Sequence, residues 1–386
     1  MSEPAHTKHY VSTSHNEDAA FTETYGFSGS QGVVTLEGIL LRGEAPSSTA
    51  VVMMHPASTL QTLPFPGALA NTGAHVLCAA SRYPKNDTAL IMEKVVADMG
   101  AWVRFAREEL GYEHVVLIGW SGGASLSMLY QAEAVGPSIA HTPAGDPYDL
   151  TGAGLIPADG LVAIAAHRGR ANTLATWIDP SVTDEADPSN RDASLDLYDP
   201  SNQAPYSAEF VETFRAAQLA RMSRISNWAR DQLAEIKELG GAEVERCFMT
   251  QRTMADPRWL DTSLDHNDRR PGWCYLGDPE TVNVGPVGLA RFSTLRSWLS
   301  QWSIDDARAD GVPCLARVPQ PQLFVENSAD DATPRSDLVA MHEASGASDR
   351  SYHVIDGANH YYKDQPDCLR DAVRVTTNWL GGHNFL

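Results

Sequence analysis

Short unbroken apolar runs recur along the first half of the chain, at residues 50–54, 75–80 and 114–118. A run of that length with no polar alternation marks a strand buried on both faces, the habit of a parallel sheet. Weaker strand patterns precede them at 22–26 and 33–42, separated by Gly and Ser. Between the runs, residues 65–73 suit a short helix. Residues 90–110 place Met92, Val95, Val96, Met99, Trp102, Val103 and Ala106 at helical spacing with charges between them. Gly111 then stands where a helix C-cap is expected. The third run leads straight into Gly119-Trp-Ser-Gly-Gly123, and residues 124–134 are helical again. Strand, helix, strand, tight turn, helix is the alternation of a parallel α/β sheet.

After a Pro- and Gly-rich loop at 136–160 and a strand at 161–166, the alternation stops for about 150 residues. Residues 170–318 carry an acidic loop (179–199), a helix at 208–239, a polar aromatic loop (253–287) and a helix at 289–303. The alternation resumes with a strand at 322–326, a helix at 335–345, a strand at 352–355 and a last helix at 365–380. One sheet interrupted and then completed predicts an insertion rather than an appended domain. The expected organisation is an N-terminal arm (1–20), a core of 21–169 and 319–386, and a largely helical cap inserted as 170–318, before the strand that carries the candidate acid. The expected class is α/β, with a mostly parallel doubly wound sheet.

Composition narrows the function classes. A formal charge of −20 leaves no basic footprint for nucleic acid or an anionic membrane, and no apolar run reaches membrane-spanning length. The five cysteines are widely spaced without a CxxC pair, which predicts neither a zinc knuckle nor a disulfide framework. The polar N-terminus lacks the apolar core of a signal peptide, so a cytoplasmic location with reduced thiols is expected. The polar arm is free to pack on a second subunit, which leaves a homodimer open.

Gly119-Trp-Ser121-Gly-Gly123 matches G-x-S-x-G. The short pattern gains meaning from its setting, with a buried strand directly before it and a helix directly after. A serine there sits on a strained turn approached closely from both sides, hence the flanking glycines. Its hydroxyl projects at a helix N-terminus, which favours developing negative charge. These residues resemble the α/β-hydrolase family of serine hydrolases, over about residues 50–170 and 318–386.

The resemblance implies a triad in the chain order serine, acid, histidine. The strand at 322–326 runs into a polar turn holding Asp330 and Asp331. In the family the acid stands four residues before a proline, so Pro334 selects Asp330, with Asp331 the open alternative. The segment 352–362 ends in Gly357-Ala-Asn-His360, similar to the loop that delivers the family's catalytic histidine; His360 is the implied base, and His353 is read as structural. The family carries His-Gly-x after the strand at 50–54, where the N–H of x is an oxyanion donor. Here Pro56 replaces the glycine, and proline has no N–H. Ala57 is the implied donor with Ser58 as fallback, and Gly122 supplies the second. His55, Ser58, Trp120 and His167 are candidates to line the pocket.

Six of the nine tryptophans fall within 170–318, and Trp298 and Trp302 share one helix face. Such a stripe reads as core. The acids at 256–268 read as solvated turns, and Arg215, Arg221, Arg224 and Arg230 as a solvated helix face. The resemblance implies a serine esterase acting on a small-molecule acyl substrate, with no cofactor or metal. The same triad equally serves a C–C bond, lactone or amide hydrolase. A non-catalytic binding module on the same scaffold is the alternative of another class. Asp-based halide or epoxide chemistry is disfavoured by Ser121.

Overall fold

The structure, a computed structural model, describes residues 5–17, 32–286 and 288–386. The strand expected at 22–26 lies outside the described residues. In chain order the strands are β1 (His6–Asn16), β2 (Val33–Gly43), β3 (Thr49–Met54), β4 (His75–Ala79), β5 (His114–Trp120), β6 (Gly160–Ile164), β7 (Cys247–Met249), β8 (Phe292–Thr294), β9 (Gln322–Asn327) and β10 (Arg350–Ile355). The helices are α1 (Pro64–Ala70), α2 (Met92–Arg104), α3 (Gly122–Val135), α4 (Arg170–Trp177), α5 (Ala208–Leu239), α6 (Pro257–Leu260), α7 (Pro279–Val284), α8 (Leu295–Gln301), α9 (Gly311–Leu315), α10 (Arg335–Ala344) and α11 (Pro366–Gly382).

Among the described residues, eight strands form one sheet in the order β1-β2-β4-β3-β5-β6-β9-β10. Every pair from β4 to β10 is parallel, while β1 and β2 run antiparallel at one edge. The unbroken apolar runs fall in its centre. In β3, Ala50, Val52 and Met54 face a core layer built with α2 and α3, while Val51 and Met53 face a second layer built with α1 and α11. Burial of each Val, Leu or Met contributes about 1.5–3 kcal/mol. Two-faced burial is why these strands carry no polar residues. After β3 the chain goes to β4 on one side and then to β5 on the other. The crevice at such a switch point, beyond the carboxyl ends of the strands, is where ligands bind in open α/β sheets.

The N-terminal arm requires a correction. His6–Asn16 is an edge strand paired along its full length, from His6 opposite Gly43 to Asn16 opposite Val33. Its sequence hides this because an edge strand buries little. Val11 packs on the core, the His6 ring bonds Asn71, and His15 Nε2 bonds the buried Asp98 carboxylate at 3.0 Å.

Residues 170–318 leave after β6 and return before β9, two strands that pair directly with each other. They hold hydrophobic clusters of their own. In the largest, Leu174 of α4, Met222, Ile225 and Ala229 of α5, Trp298 and Leu299 of α8, and Trp302 at the C-cap of α8 pack together. Helix α5 is capped by Ser207, which accepts from Phe210 N–H, and stops at left-handed Gly240. The helix expected at 289–303 is shorter than its pattern suggested. Ala290 takes a positive φ, 292–294 pairs with β7, and Thr294 caps α8 by accepting from Ser297 N–H.

Two surface readings are also corrected. Arg221 is buried, forked onto Glu185 and donating to the carbonyls of Asp179, Gln251 and Arg252. The acidic loop at 256–268 is likewise tied in. Asp256, 1% exposed, bonds Arg215 and Arg258, and Asp268 bonds Ser328. Charge alternation along a helix looks the same whether its partners are water or a neighbouring loop.

Candidate active site

Ser121 joins β5 to α3 with φ 52° and ψ −123°, a conformation that strains any residue but glycine. Packing holds it there. Ser121 N–H donates to Ile164 O of β6 at 3.1 Å, and its carbonyl accepts from Ala124 N–H at 3.1 Å. A Cβ on Gly119 would lie 2.3 Å from Ala124 Cα, and one on Gly123 would lie 2.5 Å from Met54 O. The motif's two glycines are therefore steric necessities of bringing helix, turn and β3 together.

The turn after β9 carries Asp330 and the loop after β10 carries His360, both buried. His360 Nδ1 bonds Asp330 Oδ2 at 2.9 Å and Oδ1 at 3.1 Å. Oδ1 also accepts from Ala332 N–H and Thr333 N–H, each at 2.8 Å. Asp330, not Asp331, is thus the carboxylate joined to the imidazole. Burial lowers the His360 pKa, but the Asp330 charge and hydrogen bond, with the Asp331 charge, outweigh it and hold the imidazole above its ordinary value. Burial and the neighbouring Asp330 push Asp331 up to about 6.

Among the described residues the hydrogen bonds of His360 go to Asp330 alone. Its ring meets Trp120, the neighbour of Ser121, edge-on at 6.4 Å between centroids. Trp120 itself is 2% exposed and packs against Phe65 and Tyr362. It supports the site from within the core and is not a pocket wall, because strand alternation turns it toward the α1 and α11 layer.

The loop after β3 departs from its expected role. Ala57 N–H, the implied oxyanion donor, points at His55 Nδ1 at 3.2 Å, and the fallback Ser58 N–H bonds the same atom at 2.9 Å. Both backbone donors are spent inside the loop. His55 Nε2 lies 2.9 Å, and His167 Nε2 3.2 Å, from the position a Cβ on Gly122 would occupy. Both imidazoles therefore border Gly122. Desolvation, then the Arg170, His167 and His360 charges, lower His55 well below its ordinary pKa. Desolvation, followed by Arg170 and His360, lowers His167 to about 3. Both rings are neutral at neutral pH.

Residues far away in the chain complete the surroundings. Trp259 Nε1 and Tyr275 N–H donate to Asp331 O, and Asn267 Nδ2 to Asp330 O. The Tyr275 ring stands 5.9 Å from that of His360. Arg170, at the start of α4, stacks over Trp302 and bonds Asp87. Nothing local in the sequence marks these residues. Arg82, three residues past β4, is buried on Asp98 of α2. No group of three His, Cys, Asp or Glu side chains among the described residues is placed to hold a metal ion. No helix among them is long and apolar enough to cross a membrane.

No protein family's sequence profile matches the chain, and no curated protein matches it. Solved structures do match. DcsB, in complex with its substrate analogue, superposes with a TM-score of 0.53 at 12% identity, covering 97% of this chain and 99% of the other. The α/β hydrolase GrgF from Penicillium sp. sh18 gives 0.52 at 12% identity, covering 97% and 98%. The monoacylglycerol lipase of Paleococcus ferrophilus gives 0.45 at 16% identity, covering 90% and 99%. With its mostly parallel eight-stranded sheet, helices on both faces and likeness to GrgF, this chain has the α/β-hydrolase fold.

Proposed function

We propose that the protein is a serine hydrolase that cleaves a carboxylic ester through an acyl-enzyme on Ser121. One observation carries the reading: His360 is held through Nδ1 by Asp330 at 2.9 Å, and its ring packs on the residue adjoining Ser121. A carboxylate on Nδ1 fixes the tautomer that leaves Nε2 as base and stabilises the imidazolium that follows. The strained turn supports it further, since backbone held at positive φ on a non-glycine residue concentrates at functional sites.

In this reading His360 Nε2 takes the Ser121 hydroxyl proton as Oγ bonds to the ester carbonyl carbon. The resulting oxyanion collapses, the carbon–alkoxy bond breaks, and the alcohol leaves with the proton from His360. Water attacks the acyl-enzyme, giving its proton to His360. Collapse then releases the acid and returns the proton to Ser121. Gly122 N–H, at the first turn of α3, is a donor to the oxyanion. Residues 170–318 act as a cap. Trp259, Asn267 and Tyr275 tie it to the Asp330–Asp331 turn, and Tyr275 sets one wall beside His360.

The test is a fluorophosphonate probe with the modified residue located by mass spectrometry, alongside turnover of p-nitrophenyl acyl esters of increasing chain length. The expected result is a single adduct on Ser121, lost together with turnover in Ser121→Ala. An unlabelled wild type, or a fully active Ser121→Ala, overturns the reading. A lactone and amide panel assigns the bond.

A further inference from the structure

The loop after β3 poses a chemical question. An acyl-transfer site needs donors aimed at the developing oxyanion, and the three residues after His55 offer none: Pro56 has no N–H, and the Ala57 and Ser58 N–H groups converge on His55 Nδ1 at 3.2 and 2.9 Å. Those two bonds decide something about the ring. An imidazole nitrogen that accepts from N–H groups carries no proton, so neutral His55 holds its proton on Nε2.

That Nε2–H faces the residue that follows Ser121. It is 2.9 Å from where a Cβ on Gly122 would sit, and Gly122 adjoins Ser121. A side chain at residue 122 would crowd the Nε2 ends of both His55 and His167. Desolvation, with the charges of Arg170, His167 and His360, keeps the ring from protonating near neutral pH, so its tautomer does not change there. His55 is thus a fixed single donor rather than a competing base.

We infer that His55 is a catalytic residue whose Nε2–H serves with Gly122 N–H as the second oxyanion donor, a side chain standing where the family uses a loop backbone N–H. The inference rests on the serine-hydrolase reading above. It also gives Pro56 a place in the design. With no donor of its own, the proline leaves the loop to fold back on His55 and set its tautomer.

The roles of the two ring nitrogens can be separated by isosteric amides. In His55→Asn the amide oxygen replaces Nδ1, so the loop keeps its acceptor while the Nε2 donor is lost. In His55→Gln the amide nitrogen reaches the Nε2 position, so the donor is kept while the loop acceptor is lost. Both variants, with His55→Ala, are assayed for kcat and KM on a p-nitrophenyl ester and for binding of a boronic acid that mimics the tetrahedral state. Melting temperatures are compared in parallel.

The expected order of kcat is wild type, then His55→Gln, then Asn and Ala lower by roughly 10²–10³-fold, with KM little changed and boronate affinity falling in step with kcat. Near wild-type kcat in His55→Asn, or Gln falling below Asn, overturns the inference and leaves His55 a loop-holding residue. Phosphonate labelling of the wild type keeps the two questions apart: without an adduct on Ser121 the hydrolase reading itself fails, whereas with one the His55 variants test this inference alone.

Discussion

One carboxylate oxygen of Asp330 holds its own turn while both oxygens hold the ring of His360. Oδ1 takes the N–H groups of Ala332 and Thr333 at 2.8 Å, and Nδ1 of the imidazole lies 2.9 Å from Oδ2 and 3.1 Å from Oδ1. The turn bonds stop the carboxylate from rotating, and the rigid carboxylate orients the ring. Asp330→Asn keeps the shape but presents an amide donor to Nδ1 and favours the wrong tautomer. It is expected to lower kcat by roughly 10³–10⁴-fold with little change in KM. Steady-state kinetics on an acyl ester check this, and a variant within tenfold of wild type contradicts it.

The pH profile follows from the same pair. His360 acts as base only when neutral, and its pKa is raised, so activity falls as pH drops through a value above the ordinary histidine pKa of about 6.5. Asp331 contributes to that elevation through its charge. Removing the charge in Asp331→Asn makes the imidazolium less stable. The acid limb of kcat/KM should therefore move to lower pH while the plateau survives. A limb that stays put or moves up contradicts the assignment.

Ser121 trades stability for its position. At φ 52° and ψ −123° a Cβ is strained, and glycine is not. Ser121→Gly is expected to abolish turnover yet stabilise the fold by about 1 kcal/mol, visible as a higher melting temperature than wild type. A lower one contradicts the strain argument.

The neighbouring glycines behave in the opposite way. Gly123→Ala places a methyl 2.5 Å from Met54 O, and backbone cannot swing aside as a side chain does. A loss of about 3 kcal/mol or more is expected, together with activity. Urea denaturation measures it. Unchanged stability removes the case for the close approach of α3 to β3.

Arg221 makes the equivalent prediction away from the sheet. It is 1% exposed, bonds both oxygens of Glu185 and reaches three backbone carbonyls. Arg221→Ala leaves these acceptors stranded and should cost about 3–5 kcal/mol. Arg221→Lys recovers little, because one ammonium does not reproduce a planar fork. Limited proteolysis should cut first within 170–318. Wild-type resistance in both variants contradicts the buried role.

Much of the fold could be read directly from the chain. The buried runs at β3, β4 and β5 and the Ser121 turn announce themselves through local periodicity and turn chemistry, while the Asp330 turn and the Gly357-led loop to His360 are picked out by their resemblance to the family. Those are properties of a few consecutive residues. The edge strand His6–Asn16 stayed hidden because edge strands bury too little to impose an apolar pattern. Buried Arg221 stayed hidden because its neutralising partners lie far off in sequence.

The site divides along the same line. Short motifs, read through their resemblance to the α/β-hydrolase family, singled out Ser121, Asp330 and His360 as candidates. Local sequence could not reveal that Ala57 N–H would be spent on His55, that Trp120 would turn into the core, or that the Tyr275 ring would stand beside that of His360. Such facts are distances between side chains whose sequence separations run to tens or hundreds of residues. They come into being when β3, β5, β9 and β10 are laid side by side and their carboxyl-end loops are forced to share one crevice.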